Sequence, residues 1–144
     1  MESGFDPLKL ENQLCFPLYA CAREVVKRYK PFLDGIGLTY TQYVTMMVLW
    51  EKPEITSREI GERLHLDSGT LTPVLRKLED RGLLTRSRCR ADERNLTVAL
   101  TEAGRALRER AKDIPARMGG CIPLESGEAR ALYELLRALL ERLG

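Results

Sequence analysis

The chain has 144 residues, a formal net charge of +2 and 31% charged side chains, enough length for one domain with a buried core. No apolar run reaches membrane-spanning length, and the start, MESGFDPLKLENQ, carries charges where a secretory signal needs an apolar centre; the protein is expected in the cytoplasm. Four cysteines without CxxC or zinc-ligand spacing, and a single histidine, argue against a metal site and imply thiols in a reducing compartment, either inert core fillers or redox-active groups.

Residues 1–9 read as a frayed start. From Leu10 to Leu33 a helical stripe runs through Leu14, Leu18, Ala22, Val25, Val26, Tyr29 and Phe32, with Cys15 beside it near the beginning. Pro17 conflicts with a regular helix there, because proline lacks the N–H and clashes with the carbonyl four residues back. Either the helix begins at Pro17 or it is kinked at Cys15, and the sequence leaves both open. Gly35-Ile36-Gly37-Leu38 breaks the chain. Thr39 with Gln42 is a capping box for a helix through Val44, Met47, Val48 and Trp50. Lys52-Pro53-Glu54 reads as a turn.

Ile55 to Leu100 organises the rest. Thr56 with Glu59 is a second capping box, and Ile60 and Leu64 give the short helix that follows an apolar face. His65-Leu66-Asp67 breaks the period, and Asp67 is a good N-cap for the next helix. That helix places Leu71, Val74, Leu75 and Leu78 on one face, and Ser68, Thr70, Thr72, Arg76 and Lys77 on the other. Gly82 suits a left-handed stop. Leu96, Val98 and Leu100 then alternate with Asn95, Thr97 and Ala99, as in a half-buried strand. Between two strands lie Arg86, Arg88, Arg90 and Arg94 against Asp92 and Glu93, a local surplus of two positive charges. Helix, turn, helix and a cationic hairpin make a winged helix-turn-helix pattern, suited to double-stranded DNA. Hydroxyls at a recognition-helix start reach phosphates and base edges, and arginines suit guanine or a narrow minor groove.

Thr101 caps a further helix with Ala103, Leu107 and Ala111 on one face; Pro115 and Gly119-Gly120 interrupt it, and Pro123 follows Cys121. Ser126 starts a last helix, to Leu143, carrying Leu132, Leu135, Leu136, Leu139, Leu140 and Leu143. That stripe and the first helix carry more apolar surface than one small winged domain buries alone. A homodimer is therefore expected, with both chain ends packed across a two-fold axis and a pseudo-palindromic operator. Doubling also answers the low net charge, since a monomer of +2 would bind DNA weakly. The expected fold class is mainly α (α+β): one domain over 1–144, a winged helix-turn-helix over 39–100, and a helical dimerisation region from 8–34 and 101–144.

Four stretches, LENQLCFPLYA at 10–20, GLTYTQYVTMMVLWE at 37–51, LDSGTLTPVLRKLEDRGLLTR at 66–86 and DERNLTVALTEAG at 92–104, resemble the MarR family of bacterial repressors, and more closely its organic hydroperoxide-sensing OhrR branch. DSGTLTP, with Pro73, and the cysteine of NQLCF are particular to that branch, whereas Asp92-x-Arg94 in the wing is general to the family. The resemblance implies a dimeric repressor, with no cofactor, of the gene for a hydroperoxide-reducing enzyme. It implies Cys15 as the redox sensor, Tyr29 and Tyr40 of the partner subunit around that thiol, and Cys121 as the resolving cysteine of a two-cysteine member. Pro17 and Thr41 depart from the usual pattern, which has a small residue and a proline there.

The chemistry is consistent. A thiolate attacks a peroxide to give a sulfenic acid, which a second thiol condenses into a disulfide. The reaction needs a thiol whose ordinary pKa of about 8.5 is lowered, by a helix N-terminus or nearby donors. An apolar surround from Leu14, Phe16 and Phe32 would favour organic hydroperoxides over H₂O₂. Cys21 reads as packing, and Cys89 as an exposed wing-tip thiol. Two other readings compete: a thiol peroxidase, which would turn over peroxide and leave the basic wing without purpose, and a MarR-type repressor released by a phenolic ligand.

Overall fold

The computed structural model describes residues 4–89 and 92–144, leaving out the side chains of residues 89 and 92–94. A 3₁₀ turn over Leu10–Asn12 precedes α1 (Cys15–Asp34). Then follow α2 (Tyr40–Glu51), β1 (Glu54–Thr56), α3 (Ser57–Leu64), α4 (Ser68–Asp80), β2 (Leu84–Cys89), β3 (Asp92–Leu100), α5 (Glu102–Ala111), α6 (Ile114–Gly119) and α7 (Ser126–Leu143). Two compact units result, Met1–Ile114 and Pro115–Gly144. Among the described residues no helix is long and apolar enough to cross a membrane.

The first helix starts differently from either alternative. Cys15 is its first residue, and Pro17 falls in the first turn without displacing the start. The N–H groups of a first turn have no intrahelical acceptor, so proline there forfeits no bond. Pro31, which the periodicity concealed, does cost a bond, to the Lys27 carbonyl.

The cap at Thr39 is the complete reciprocal box: the Gln42 N–H donates to Thr39 Oγ1 at 3.2 Å, and the Thr39 N–H donates to Gln42 Oε1 at 3.0 Å. At Thr56 only half of the expected box forms. The hydroxyl accepts from the Glu59 N–H at 3.2 Å, but the Glu59 carboxylate pairs with Lys52 at 3.1 Å. The apolar face of α2 is also wider than the predicted stripe. Tyr43, Met46, Val48 and Leu49 are buried with Gln42 and Thr45, while Met47 is exposed. A helix buried on most sides has no polar face to give its period away.

Pro53 and Glu54, read as part of a turn, lead into a third strand. β1 pairs antiparallel with β3 (Ile55 opposite Val98), and β2 pairs with β3 from Leu84 opposite Leu100 to Arg88 opposite Leu96, giving the order β1-β3-β2. Three residues are too few to show an alternation. β2 runs on to Cys89, so Arg86 and Arg88 lie on a strand and not in a hairpin tip. The core of the first unit gathers Ile55, Ile60, Leu71, Leu75, Leu78, Leu83, Leu84 and Val98, with Leu33 from the end of α1 and Ile36 and Leu38 just after it.

The stop after α4 is as expected, a left-handed Gly82 at φ 76°. Its N–H donates to the Glu79 carbonyl at 2.8 Å and the Leu83 N–H to Leu78 at 3.0 Å, the paired bonds of a Schellman ending. In α5 the inward positions are Gly104, Leu107 and Ala111, and Ala103 is exposed. α6 resumes helix where the sequence suggested only an interruption.

In the second unit, α7 has the bounds read from the sequence, and the Glu125 N–H donates to the Glu128 carboxylate at 3.0 Å. None of its residues is buried: Leu135 is 70% exposed and Leu143 74%. α1 is nearly as bare, with Leu33 its one buried residue among those described. Each helix carries an amphipathic stripe that its own chain leaves uncovered.

Candidate functional site

The second helix of the helix-turn-helix is fixed at its start by Asp67, whose Oδ1 accepts from the Thr70 N–H at 2.7 Å. That donor holds the carboxyl below its ordinary value. His65, the left-handed C-cap of α3 (φ 56°), opens the turn that reverses the chain between α3 and α4. Leu71, Leu75 and Leu78 point inward. The opposite side therefore turns Ser68, Thr70, Thr72, Pro73, Arg76 and Lys77 to solvent together, on one face of one helix. The Thr72 hydroxyl donates back to the Ser68 carbonyl at 2.7 Å. Pro73 removes the bond to the Gly69 carbonyl, yet the helix continues to Asp80. Beside this face an open hollow of about 880 Å³ runs between α3, α4 and β3, with Arg58, Glu62, Thr72 and Asn95 on its walls.

Of the wing residues, Arg88 is exposed. Arg86 is not presented to solvent in the same way. Its Nη2 and Nε lie 3.1 and 3.3 Å from Glu79 Oε1, and its backbone N–H donates to Glu79 Oε2 at 2.9 Å. These donors hold Glu79 below its ordinary carboxyl value and fasten β2 to α4. The side chains of Asp92 and Arg94, and Cys89 with the wing tip, lie outside the described residues.

Cys15, Cys21 and Cys121 are exposed free thiols. Cys21, read as packing, is not covered by its own chain. Leu14 and Phe16, expected to enclose Cys15, are 87% and 42% exposed. Cys121 follows Gly119-Gly120 in the turn before α7, its N–H donating to the Met118 carbonyl at 2.9 Å. Among the described residues no His, Cys, Asp and Glu side chains are grouped to hold a metal ion.

Tyr29 and Tyr40 are brought together, ring centroids 4.9 Å apart, and a third ring missed in the sequence, Tyr43, stands 5.9 Å from Tyr29 and 6.3 Å from Tyr40. The signal for it was the i, i+3 spacing of Tyr40 and Tyr43 on one helix face. Burial raises the hydroxyl pKa of all three; Tyr40 raises that of Tyr29 further, and Tyr29 and Tyr40 raise that of Tyr43. They remain neutral donors at physiological pH. Cys15 and Tyr29 share α1, fourteen residues apart, which is about 21 Å of helix rise. That is beyond the reach of a tyrosine side chain, so one chain does not put these hydroxyls on its own thiol.

Residues 27–110 match the family described as Transcriptional regulator SarA/Rot. Over 143 residues, 99% of this chain and 97% of that protein, the sequence is 48% identical to the organic hydroperoxide resistance transcriptional regulator of Bacillus subtilis (strain 168). Reduced AbfR bound to DNA, a Staphylococcus epidermidis protein, superposes with a TM-score of 0.77 at 36% identity, covering 94% of each chain. The disulfide-formed state of AbfR gives 0.67 at 35% identity, covering 93% of this chain and 91% of that one. The winged helix-turn-helix and these full-length likenesses agree: the chain belongs to the MarR family of transcriptional regulators, within it to the organic hydroperoxide resistance regulators, and is not an enzyme.

Proposed function

We propose that the protein is a homodimeric, peroxide-responsive repressor that binds a pseudo-palindromic DNA operator when reduced and leaves it when Cys15 is oxidised. The observation that carries this reading is the separation of Cys15 from its own tyrosines on a helix whose apolar stripe is uncovered. A second copy packed on that stripe supplies both what covers the leucines and the hydroxyls of Tyr29 and Tyr40 beside the thiol. The exposed stripe of α7 calls for the same partner. The DNA contacts fall to Ser68, Thr70, Thr72, Pro73, Arg76 and Lys77 in the major groove and to Arg88, Asp92 and Arg94 in the wing, while Arg86 braces the wing through Glu79.

In the sensing step the Cys15 thiolate attacks the terminal oxygen of an organic hydroperoxide. The O–O bond breaks, the alkoxide leaves and takes a proton to become an alcohol, and sulfur, oxidised by two electrons, becomes a sulfenic acid. The start of α1 favours an anion through its unbonded N–H groups, and Pro17 takes one of those donors away. Cys121 of the partner subunit then attacks the sulfenic sulfur as thiolate. Hydroxide is displaced and protonated to water, leaving an intersubunit disulfide. Closing that bond requires Cα atoms within roughly 7 Å, which draws the chain ends together and shifts the two recognition helices off their half-sites.

The test uses a duplex selected by the reduced protein, one equivalent of cumene hydroperoxide, and intact mass under non-reducing, denaturing conditions. Wild type is expected to release DNA and run as a covalent dimer that dithiothreitol collapses. Cys15→Ser is expected to bind and ignore peroxide, and Cys121→Ser to gain oxygen without cross-linking. A Cys15→Ser protein that still releases DNA on treatment sinks the reading. An unchanged wild-type mass, with stabilisation by salicylate-like compounds, would transfer the function to a phenolic ligand.

A further inference from the structure

Just past the end of α1 opposite Cys15, three consecutive carbonyls are held by two arginines, one at the end of α4 and one in α5. Arg81 caps the C-terminus of α4. Its Nη1 donates to the Gly37 carbonyl and its Nη2 to the Ile36 carbonyl at 3.4 Å. Arg110 of α5 donates from Nη2 to the Gly35 carbonyl at 2.6 Å. A helix C-terminus is negative and short of donors, and a guanidinium fork is suited to adjacent carbonyls. The backbone comes close: a Cβ at Gly37 (φ +69°) would stand 3.0 Å from the Arg81 guanidinium.

From these contacts we infer that Arg81 is a positioning residue that, with Arg110, couples the Cys15-bearing helix to the recognition helix. The inference rests on the sensing role proposed for Cys15. The 20 residues of α1 make a rod about 30 Å long, with the thiol at one end and the clamp at the other. Arg81 is itself bound to α4, its N–H donating to the Lys77 carbonyl at 3.2 Å, next to the Schellman bonds of Gly82 and Leu83. A movement of α1 on oxidation therefore reaches the end of α4 through a forked pair of hydrogen bonds. The loop has other anchors besides the arginines. Leu33, Ile36 and Leu38 are buried, and the Leu38 N–H donates to the Leu33 carbonyl at 3.1 Å.

The experiment measures operator Kd for reduced and hydroperoxide-treated wild type, Arg81→Ala, Arg81→Lys and Arg110→Ala, with thermal midpoints in parallel. The quantity read is the oxidised-to-reduced Kd ratio, which a merely structural contribution leaves alone. Both Arg81 variants are expected to lower that ratio about tenfold, within the usual span of coupling between sites. Lysine keeps the charge but cannot fork. Arg110→Ala is expected to lower it less. A wild-type ratio retained by Arg81→Ala, with only the midpoint lowered, overturns the coupling and leaves the sensing intact. A ratio of one in the wild type removes the sensing reading and the coupling with it. If Arg81→Ala binds no DNA when reduced, Arg81→Lys is judged by the same criterion.

Discussion

Replacing Gly104 with alanine separates packing from propensity, because the two predict opposite signs. On propensity alone, alanine inside a helix is favoured over glycine by about 1 kcal/mol. In the structure, a Cβ at Gly104 would sit 2.1 Å from the Leu83 carbonyl oxygen and 2.8 Å from Leu100 Cδ2. The leucine methyl can rotate away, but the carbonyl is backbone, and ordinary contact begins 1.3 Å further out. Moving α5 off that carbonyl strains what fixes it there. The Trp50 indole N–H donates to the Gly104 carbonyl at 2.9 Å, the Thr101 N–H to Leu83 at 3.2 Å, and the Thr101 hydroxyl to Gly82 at 2.6 Å. Overpacking costs about 1–3 kcal/mol and each weakened hydrogen bond about 1 kcal/mol; with two of these three bonds weakened and propensity set against them, the expected loss is roughly 2–4 kcal/mol. Urea unfolding of the reduced protein at fixed concentration reads this as a midpoint lower by about 1–2 M, for a slope near 2 kcal/mol/M. Gly127→Ala, whose Cβ would meet nothing within 4 Å, serves as the control and should not lose stability. A Gly104→Ala midpoint equal to or above wild type would refute the reasoning.

Two further outcomes test the DNA face and its cap. Arg76→Ala should weaken DNA binding and lower the slope of log Kd against log salt by about one unit for a phosphate contact; an unchanged slope with weaker binding would make it a base contact instead. Asp67 has its pKa lowered from 3.8 by the Thr70 N–H, so the stability it contributes is present above 3.8 and lost as pH falls through its folded value. Asp67→Asn keeps an equivalent cap without a titrating group. It should match wild type at neutral pH and lose less in acid, and parallel pH profiles for the two unfolding midpoints would contradict the assignment.

Local rules settled in the sequence much of what the structure contains. The caps at Thr39, Asp67 and Thr101, the stop at Gly82 and the bounds of α7 each depend on side chains within a few residues, so the spelling was enough. The hydroxyl-and-cation face of α4 was legible for the same reason: a 3.6-residue period sorts it from Leu71, Leu75 and Leu78 without any knowledge of what they pack against. Tertiary contact decided the rest. β1 exists because Val98 and its neighbours offer Ile55 a partner. Glu59 left its capping box for Lys52. Arg86, one more cation of a basic run in the sequence, became the brace of Glu79. Tyr29 of α1 met Tyr40 and Tyr43 of α2, and Arg81 and Arg110 found the end of α1, because folding brings together residues that local periodicity cannot relate. The bare leucines of α1 and α7 extend the same principle past the chain, since an apolar stripe fixes that it must be covered, and only the packed assembly decides by what.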